Sequence, residues 1–235
     1  MYAGERALTG VEMGIFDNVT TRVARPLPVI LLVDVSGSMA DRDKIGVCNR
    51  SVRTMVQAFA EATDANGDIQ VAVVTFGGES ATLHLPLTSA QEVEWADMDA
   101  DGWTPMGDAF RLAAVMVEDE RQVPPRSYQP TLVLVSDGIP TDDWETSLMT
   151  LEASGRASRA LRLAVAIDME EGGDEYDVLD RFVGGQAGRV YPAKDASGLA
   201  DALRWVTFSV TRRARSNDPN DPAQWDVPDL GQPDF

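Results

Sequence analysis

The sequence predicts an α/β fold: a doubly wound, mostly parallel sheet with one antiparallel edge strand and helices on both faces. Three observations carry this. Short, unbroken apolar runs recur along the chain, which is how strands buried on both faces of a parallel sheet read. Segments with apolar residues at three- and four-residue steps lie between those runs, as amphipathic helices require. The alternation persists from residue 28 to residue 211, whereas both ends of the chain lack it.

Residues 1–27 form a weakly patterned lead-in ending at Arg25-Pro26-Leu27-Pro28. Pro28 opens the first run, Val29-Ile30-Leu31-Leu32-Val33, too short for a helix and free of polar residues. Ile45, Cys48, Val52, Met55, Val56 and Phe59 then mark the first helix. A second strand covers Ile69–Phe76, and the alternation from Gly77 to Leu87 suggests a strand running back antiparallel beside it. Met106, Phe110, Ala113 and Val117 define the next helix, with Thr104 expected as its N-cap and Pro105 at its first position. Strands are expected at Thr131–Val135 and Leu161–Ile167, and a short edge strand at Gly188–Tyr191. Helices are expected over 142–154 and 174–183, and a last one is marked by Leu199, Ala202, Leu203, Val206 and Val210. Residues 28–211 are therefore read as one domain. Residues 212–235 are read as an acidic, Pro-rich tail; from Ser216 onward it holds five aspartates and no basic residue. Such a composition does not repay the entropy of ordering. Trp225, Val227, Leu230 and Phe235 leave two readings open, a docking peptide or a segment lying on its own domain.

Composition excludes several functions. The 235 residues include 38 acidic and 20 basic side chains, a net charge of −18. Phosphate backbones and anionic lipid surfaces demand clustered Lys and Arg, so neither nucleic acid nor a membrane is the expected partner. There is one cysteine, Cys48, and one histidine, His84, which forbids an internal disulfide and any Cys/His zinc cluster. His84 sits in an alternating run with no nucleophile elbow, and neither GxxxxGK[ST] nor GxGxxG occurs. The opening residues lack an apolar signal core and no run approaches 18 apolar residues, so a cytoplasmic location is expected.

The chemistry sits where the strands end. The first run leads into Asp34-Val35-Ser36-Gly37-Ser38 at the carboxyl end of a central strand, where open α/β sheets hold their ligands. Alternate residues of an extended turn can aim the Asp34, Ser36 and Ser38 oxygens into one volume. The Thr131–Val135 strand delivers Ser136-Asp137-Gly138 to the same edge, and Thr104 arrives on the loop before its helix. Three hydroxyls and two carboxylates make an all-oxygen site suited to a hard cation, Mg²⁺ or Mn²⁺, rather than zinc or copper.

Together, Asp34-x-Ser36-x-Ser38, Thr104 within Gly102-Trp103-Thr104-Pro105-Met106-Gly107, and Asp137 within Ser136-Asp137-Gly138 resemble the metal-ion-dependent adhesion site (MIDAS) of von Willebrand factor type A (VWA) domains. The resemblance implies a VWA/Rossmann-like fold and a metal ligated by Ser36, Ser38 and Thr104, with Asp34 and Asp137 often acting through water. It further implies a non-enzymatic interaction module whose metal takes a carboxylate from a partner, and a last helix, 197–211, able to shift on binding. Because hydroxyls donate weakly, the metal stays electrophilic, and a partner Asp or Glu completes its six oxygens. With a net charge of −18, the expected partner carries that carboxylate among basic flanks.

The lead-in Arg25–Asp34 and the segment Gly102–Ala109 also resemble the bacterial tellurium-resistance TerY-like group. That resemblance implies a cytoplasmic stress-response system with a Ser/Thr protein kinase and a PP2C-type phosphatase. Two alternatives stand beside it: an adaptor of a chelatase-type AAA+ ATPase complex, and a Mg-dependent phosphoester hydrolase. The hydrolase is disfavoured because no His, Lys or second free carboxylate is fixed in the motif; Asp142, the nearest candidate, is read as capping its own helix with Glu145.

Three further features are weaker. Asp97-Met98-Asp99-Ala100-Asp101-Gly102 imitates the start of an EF-hand loop, with Asp108 at the twelfth position, but Pro105 and the role of Thr104 fit the adhesion-site loop better. Glu170–Glu175 reads as a solvated loop or as an acidic rim on the metal side. Cys48 lies on an apolar stripe and reads as a buried structural thiol.

Overall fold

A computed structural model describes residues 24–64, 67–184 and 189–221. Six strands form a single sheet: β1 (Arg25–Asp34), β2 (Gly67–Gly77), β3 (Ser80–Ser89), β4 (Thr131–Ser136), β5 (Leu161–Ile167) and β6 (Val190–Ala193). Their order across the sheet is β3-β2-β1-β4-β5-β6, parallel throughout except for β2–β3. The helices are α1 (Lys44–Ala62), α2 (Met106–Glu118), α3 (Trp144–Ala153), α4 (Asp174–Val183) and α5 (Ala196–Ala214).

Alternate residues of β1 face opposite layers, the period-2 geometry of a strand. Leu27, Val29, Leu31 and Val33 pack against Cys48, Val52 and Met55 of α1 and Leu199, Leu203 and Val206 of α5. Ile30 and Leu32 face Phe110 and Ala113 of α2, Leu148 of α3, and Leu179 and Phe182 of α4. This three-layer sandwich is the expected doubly wound fold. Cys48 is fully buried in the first layer, and burial pushes its thiol up to about 12, as suits a structural cysteine.

Several boundaries differ from expectation. β1 starts at Arg25, with Pro26 and Pro28 inside a central strand. The Tyr128 amide donates to Pro26 O at 2.8 Å, so Pro26 and Pro28 turn their missing N–H groups toward the β4 side. Pairing with β4 begins only at Val29, and no ladder hydrogen bond is lost. Both edge strands carry a proline, Pro86 in β3 and Pro192 in β6. The β2–β3 register shifts twice, and β6 has only four residues. α5 extends beyond 211 to Ala214.

Arg213, near the end of α5, is 1% exposed. It donates to Pro219 O at 2.7 Å, to Thr131 Oγ1 at 2.6 Å and to Gln129 O at 2.6 Å. The Gln129 amide in turn donates to Asn220 Oδ1 at 2.8 Å. The first residues of the acidic tail therefore lie on the domain, under the amino-terminal end of β4. Its remainder, 222–235, and the lead-in 1–23 fall outside the described residues. No helix among the described residues is long and apolar enough to cross a membrane.

Candidate metal centre

β1, β2 and β3 lie in one direction from the sheet centre and β4, β5 and β6 in the other, so the strand order reverses between β1 and β4. Crevices at that switch point, beyond the carboxyl ends of the strands, are where such sheets bind ligands. Asp34 is the last residue of β1, and Asp137 directly follows β4.

Asp34 is fully buried. Its Oδ1 accepts the Ser36 amide at 2.8 Å, and its Oδ2 accepts the Ser136 hydroxyl at 2.6 Å. Burial pushes its carboxyl up to about 6, against the lowering effect of the Ser136 and Ser36 hydrogen bonds. Ser36 is 2% exposed, and its Oγ lies 3.1 Å from Ser38 Oγ, which donates to Asp137 Oδ1 at 2.7 Å. Ser36, Ser38 and Asp137 thus form one continuous polar chain. Thr104 is buried beside it, with its Oγ1 within 3.9 Å of where a Cβ on Gly138 would stand.

Close backbone packing holds the Thr104 loop in place. The Gly37 amide donates to Gly102 O at 3.0 Å, and the Asp101 amide to Val35 O at 2.8 Å. Gly102 has φ +71, and a Cβ there would come within 2.5 Å of Gly78 Cα, so only glycine fits this approach.

The expected N-cap is corrected here. α2 begins at Met106 after Pro105, whose ψ of 65 is not helical, and no side chain caps the helix from the preceding residue. Thr104 instead donates its amide to Thr141 Oγ1 at 3.1 Å, while its carbonyl accepts the Thr141 amide at 2.9 Å. The α2 amides are satisfied from across the edge: Asp142 accepts from Gly107 and Asp108, each at 2.9 Å. Asp142 therefore does not cap its own helix; Asp143 does, accepting the Thr146 amide at 3.2 Å.

A second correction bears on chemistry. Lys44, the first residue of α1, donates Nζ to Asp137 Oδ2 at 2.6 Å. Its side chain is 12% exposed and that of Asp137 is wholly buried. A lysine is thus fixed at the site, where sequence reasoning placed none. Arg42 and Asp43, immediately before it, both have positive φ, 52 and 61. Those consecutive left-handed residues set the angle at which α1 brings Lys44 to the edge. Ser136, holding Asp34, is the other contributor that sequence reasoning did not assign.

The donor set fits a hard divalent cation: hydroxyls and carboxylates only, with two carboxylates and one ammonium leaving a single net negative charge. Among the described residues no three His, Cys, Asp or Glu side chains converge. In the EF-hand-like stretch, Asp97 is occupied by Arg53 at 2.7 Å and Trp95 at 2.9 Å.

Residues 29–139 match the family model of the von Willebrand factor type A domain. An uncharacterized protein of Mycobacterium tuberculosis is 31% identical over 116 residues, covering 48% of this chain and 18% of that protein. The chain thus spans less than a fifth of that relative. The pilus adhesin SpaC from Lactobacillus rhamnosus GG superposes with TM-score 0.64 at 13% identity, over 81% of this chain and 31% of that one. Proximal thread matrix protein 1 from the mussel byssus, in a structure with a zinc-occupied MIDAS motif, superposes with TM-score 0.57 at 16% identity, over 82% and 47%. These structures share the fold of the chain, and the family-model match lies within it, over β1 to β4.

Proposed function

We propose that this chain is a metal-dependent protein–protein interaction module, not an enzyme. In this reading Ser36, Ser38 and Thr104 hold Mg²⁺ or Mn²⁺, Asp34 and Asp137 support it through water, and a partner Asp or Glu completes the coordination. The observation that carries the reading is the Ser36–Ser38–Asp137 chain at the switch point, with buried Asp34 behind it. The zinc-occupied MIDAS of the mussel protein supports a divalent metal in this fold.

Lys44 sharpens the charge argument. Two carboxylates alone would neutralise a divalent ion. With the ammonium added, the loaded site carries one net positive charge, and a single partner carboxylate balances it. An ammonium held in an ion pair is not placed to act as a general base, so Lys44 does not favour the hydrolase. Within about a Debye length, roughly 8 Å at physiological salt, basic flanks on the partner would offset the acidic surface and speed encounter. A cytoplasmic stress-response assembly with a kinase and a PP2C-type phosphatase is the setting we assign.

Calorimetry with Mn²⁺ on the full chain tests this. Asp34→Ala should weaken Mn²⁺ binding roughly 10- to 100-fold, as loss of an outer-shell partner does, while circular dichroism shows a retained fold. Capture of a partner from bacterial lysate should require Mg²⁺ and fail in EDTA or with Thr104→Ala. Undiminished Mn²⁺ binding by Asp34→Ala would sink the assignment.

A further inference from the structure

Beside Thr104 lies an open cleft lined by Gly78, Glu79, Trp103, Pro105, Thr141 and Asp142. Trp103 is 68% exposed, the largest exposed apolar side chain among the described residues. The Trp103 amide donates to Gly78 O at 3.1 Å, which fixes the backbone carrying the indole. Glu79 is exposed at the cleft mouth, and no Lys or Arg lines the cleft. The Asp142 carboxylate is committed to the α2 amides, so Glu79 is the carboxylate able to meet a visitor.

We infer that this cleft is the seat for one basic side chain of the partner, placed next to the carboxylate that reaches the metal. The inference rests on the metal-docking reading above and adds a second contact to it. An indole face and a carboxylate are the two groups that recognise a guanidinium or ammonium, through cation–π attraction and an ion pair. Arg gains more than Lys, because its plane stacks on the ring while its edge meets Glu79. Trp103 and Pro105 flank Thr104 in sequence, so the cleft borders the metal position directly. A partner residue one or two positions from the docking Asp lies about 3–7 Å along an extended chain, within reach of the cleft. The favoured partner therefore presents an acidic and a basic residue adjacent or one apart, and the metal and the cleft divide the pair between them.

The test is calorimetry of the Mn²⁺-loaded full chain against acetylated, amidated heptapeptides holding one Asp. The adjacent or next position carries Arg, its neutral isostere citrulline, or norleucine. The Arg peptide should bind roughly five- to tenfold tighter than the citrulline peptide, the sum of an exposed cation–π contact and a surface ion pair. In Glu79→Gln and Trp103→Ala the Arg advantage should shrink toward the citrulline level. Equal binding of Arg and citrulline peptides, a preference for norleucine, or an Arg advantage surviving both substitutions overturns the basic seat alone. If no Asp peptide binds, or if EDTA leaves binding unchanged, the docking reading falls and the seat with it.

Discussion

At the amino-terminal edge of the sheet the Arg213 guanidinium is shut away and donates to two backbone carbonyls and one hydroxyl drawn from two segments, 129–131 and Pro219. At the carboxyl edge Asp34 and Asp137 are buried too, but apart from the Ser36 amide their partners are serine hydroxyls and one lysine ammonium. Backbone carbonyls cannot leave without unfolding the loops that bear them. Short hydroxyls and a flexible lysine can rotate away, and Ser38 opens the chain to solvent. Both edges bury charge. Only one is built from partners that a ligand can replace, and this distinguishes a staple from a site.

Breaking the staple should have the largest effect. Arg213→Ala removes three charge-assisted hydrogen bonds and should cost about 3–5 kcal/mol of stability. That lowers Tm by roughly 6–20 °C for a chain of this size. Urea unfolding measures the loss, and calorimetry on the folded variant should give the wild-type Mn²⁺ affinity. A fall in affinity would show that the two edges are coupled.

Changing the opposite edge should show in metal affinity. Lys44→Met should raise Mn²⁺ affinity about five- to tenfold, while the metal-free chain loses stability because the buried Asp137 carboxylate is left without its ammonium partner. Like charges about 4 Å apart repel by about 1 kcal/mol in water and more near a protein surface. Calorimetry reads this directly, and unchanged or weaker Mn²⁺ binding would remove Lys44 from the charge balance of the site.

The smallest effect concerns α5, which packs along the first layer and ends in the staple. If this helix shifts when the metal and an Asp peptide bind, Arg213 should hold its last turns still. Hydrogen exchange should then change over 197–206 and not over 207–214. Identical protection along the whole helix with and without ligand would mean a rigid module.

The fold was legible because its strands are nearly pure apolar runs, and β5 and α4 fall on the expected boundaries. The β1 start was missed because proline argues against a central strand; the missing donors face a side that β4 has not yet reached. Asp34, Ser36, Ser38 and Asp137 were read from short polar residues after buried runs and Thr104 from the loop before a helix, and the structure brings all five to one edge of the sheet. Lys44 carries no such signal: a lysine opening an amphipathic helix reads as solvated, and its contact with Asp137 spans 93 positions of sequence. Thr104 followed by proline imitates a cap, and Asp142 caps a helix that precedes it in the chain. Both errors come from contacts that close across the sheet edge, where local pattern is silent.

The open margins of the sheet have a consequence for how copies of this chain can associate. An unprotected border strand is a template for further strands, and long flat ones invite chains to join into fibres. Here one border is interrupted by Pro86 and two register shifts, and the other is four residues long and contains Pro192. Neither offers an unbroken ladder of free amides and carbonyls. Growth by strand addition is therefore blocked on both sides, and assembly is left to the side chains that crown the sheet.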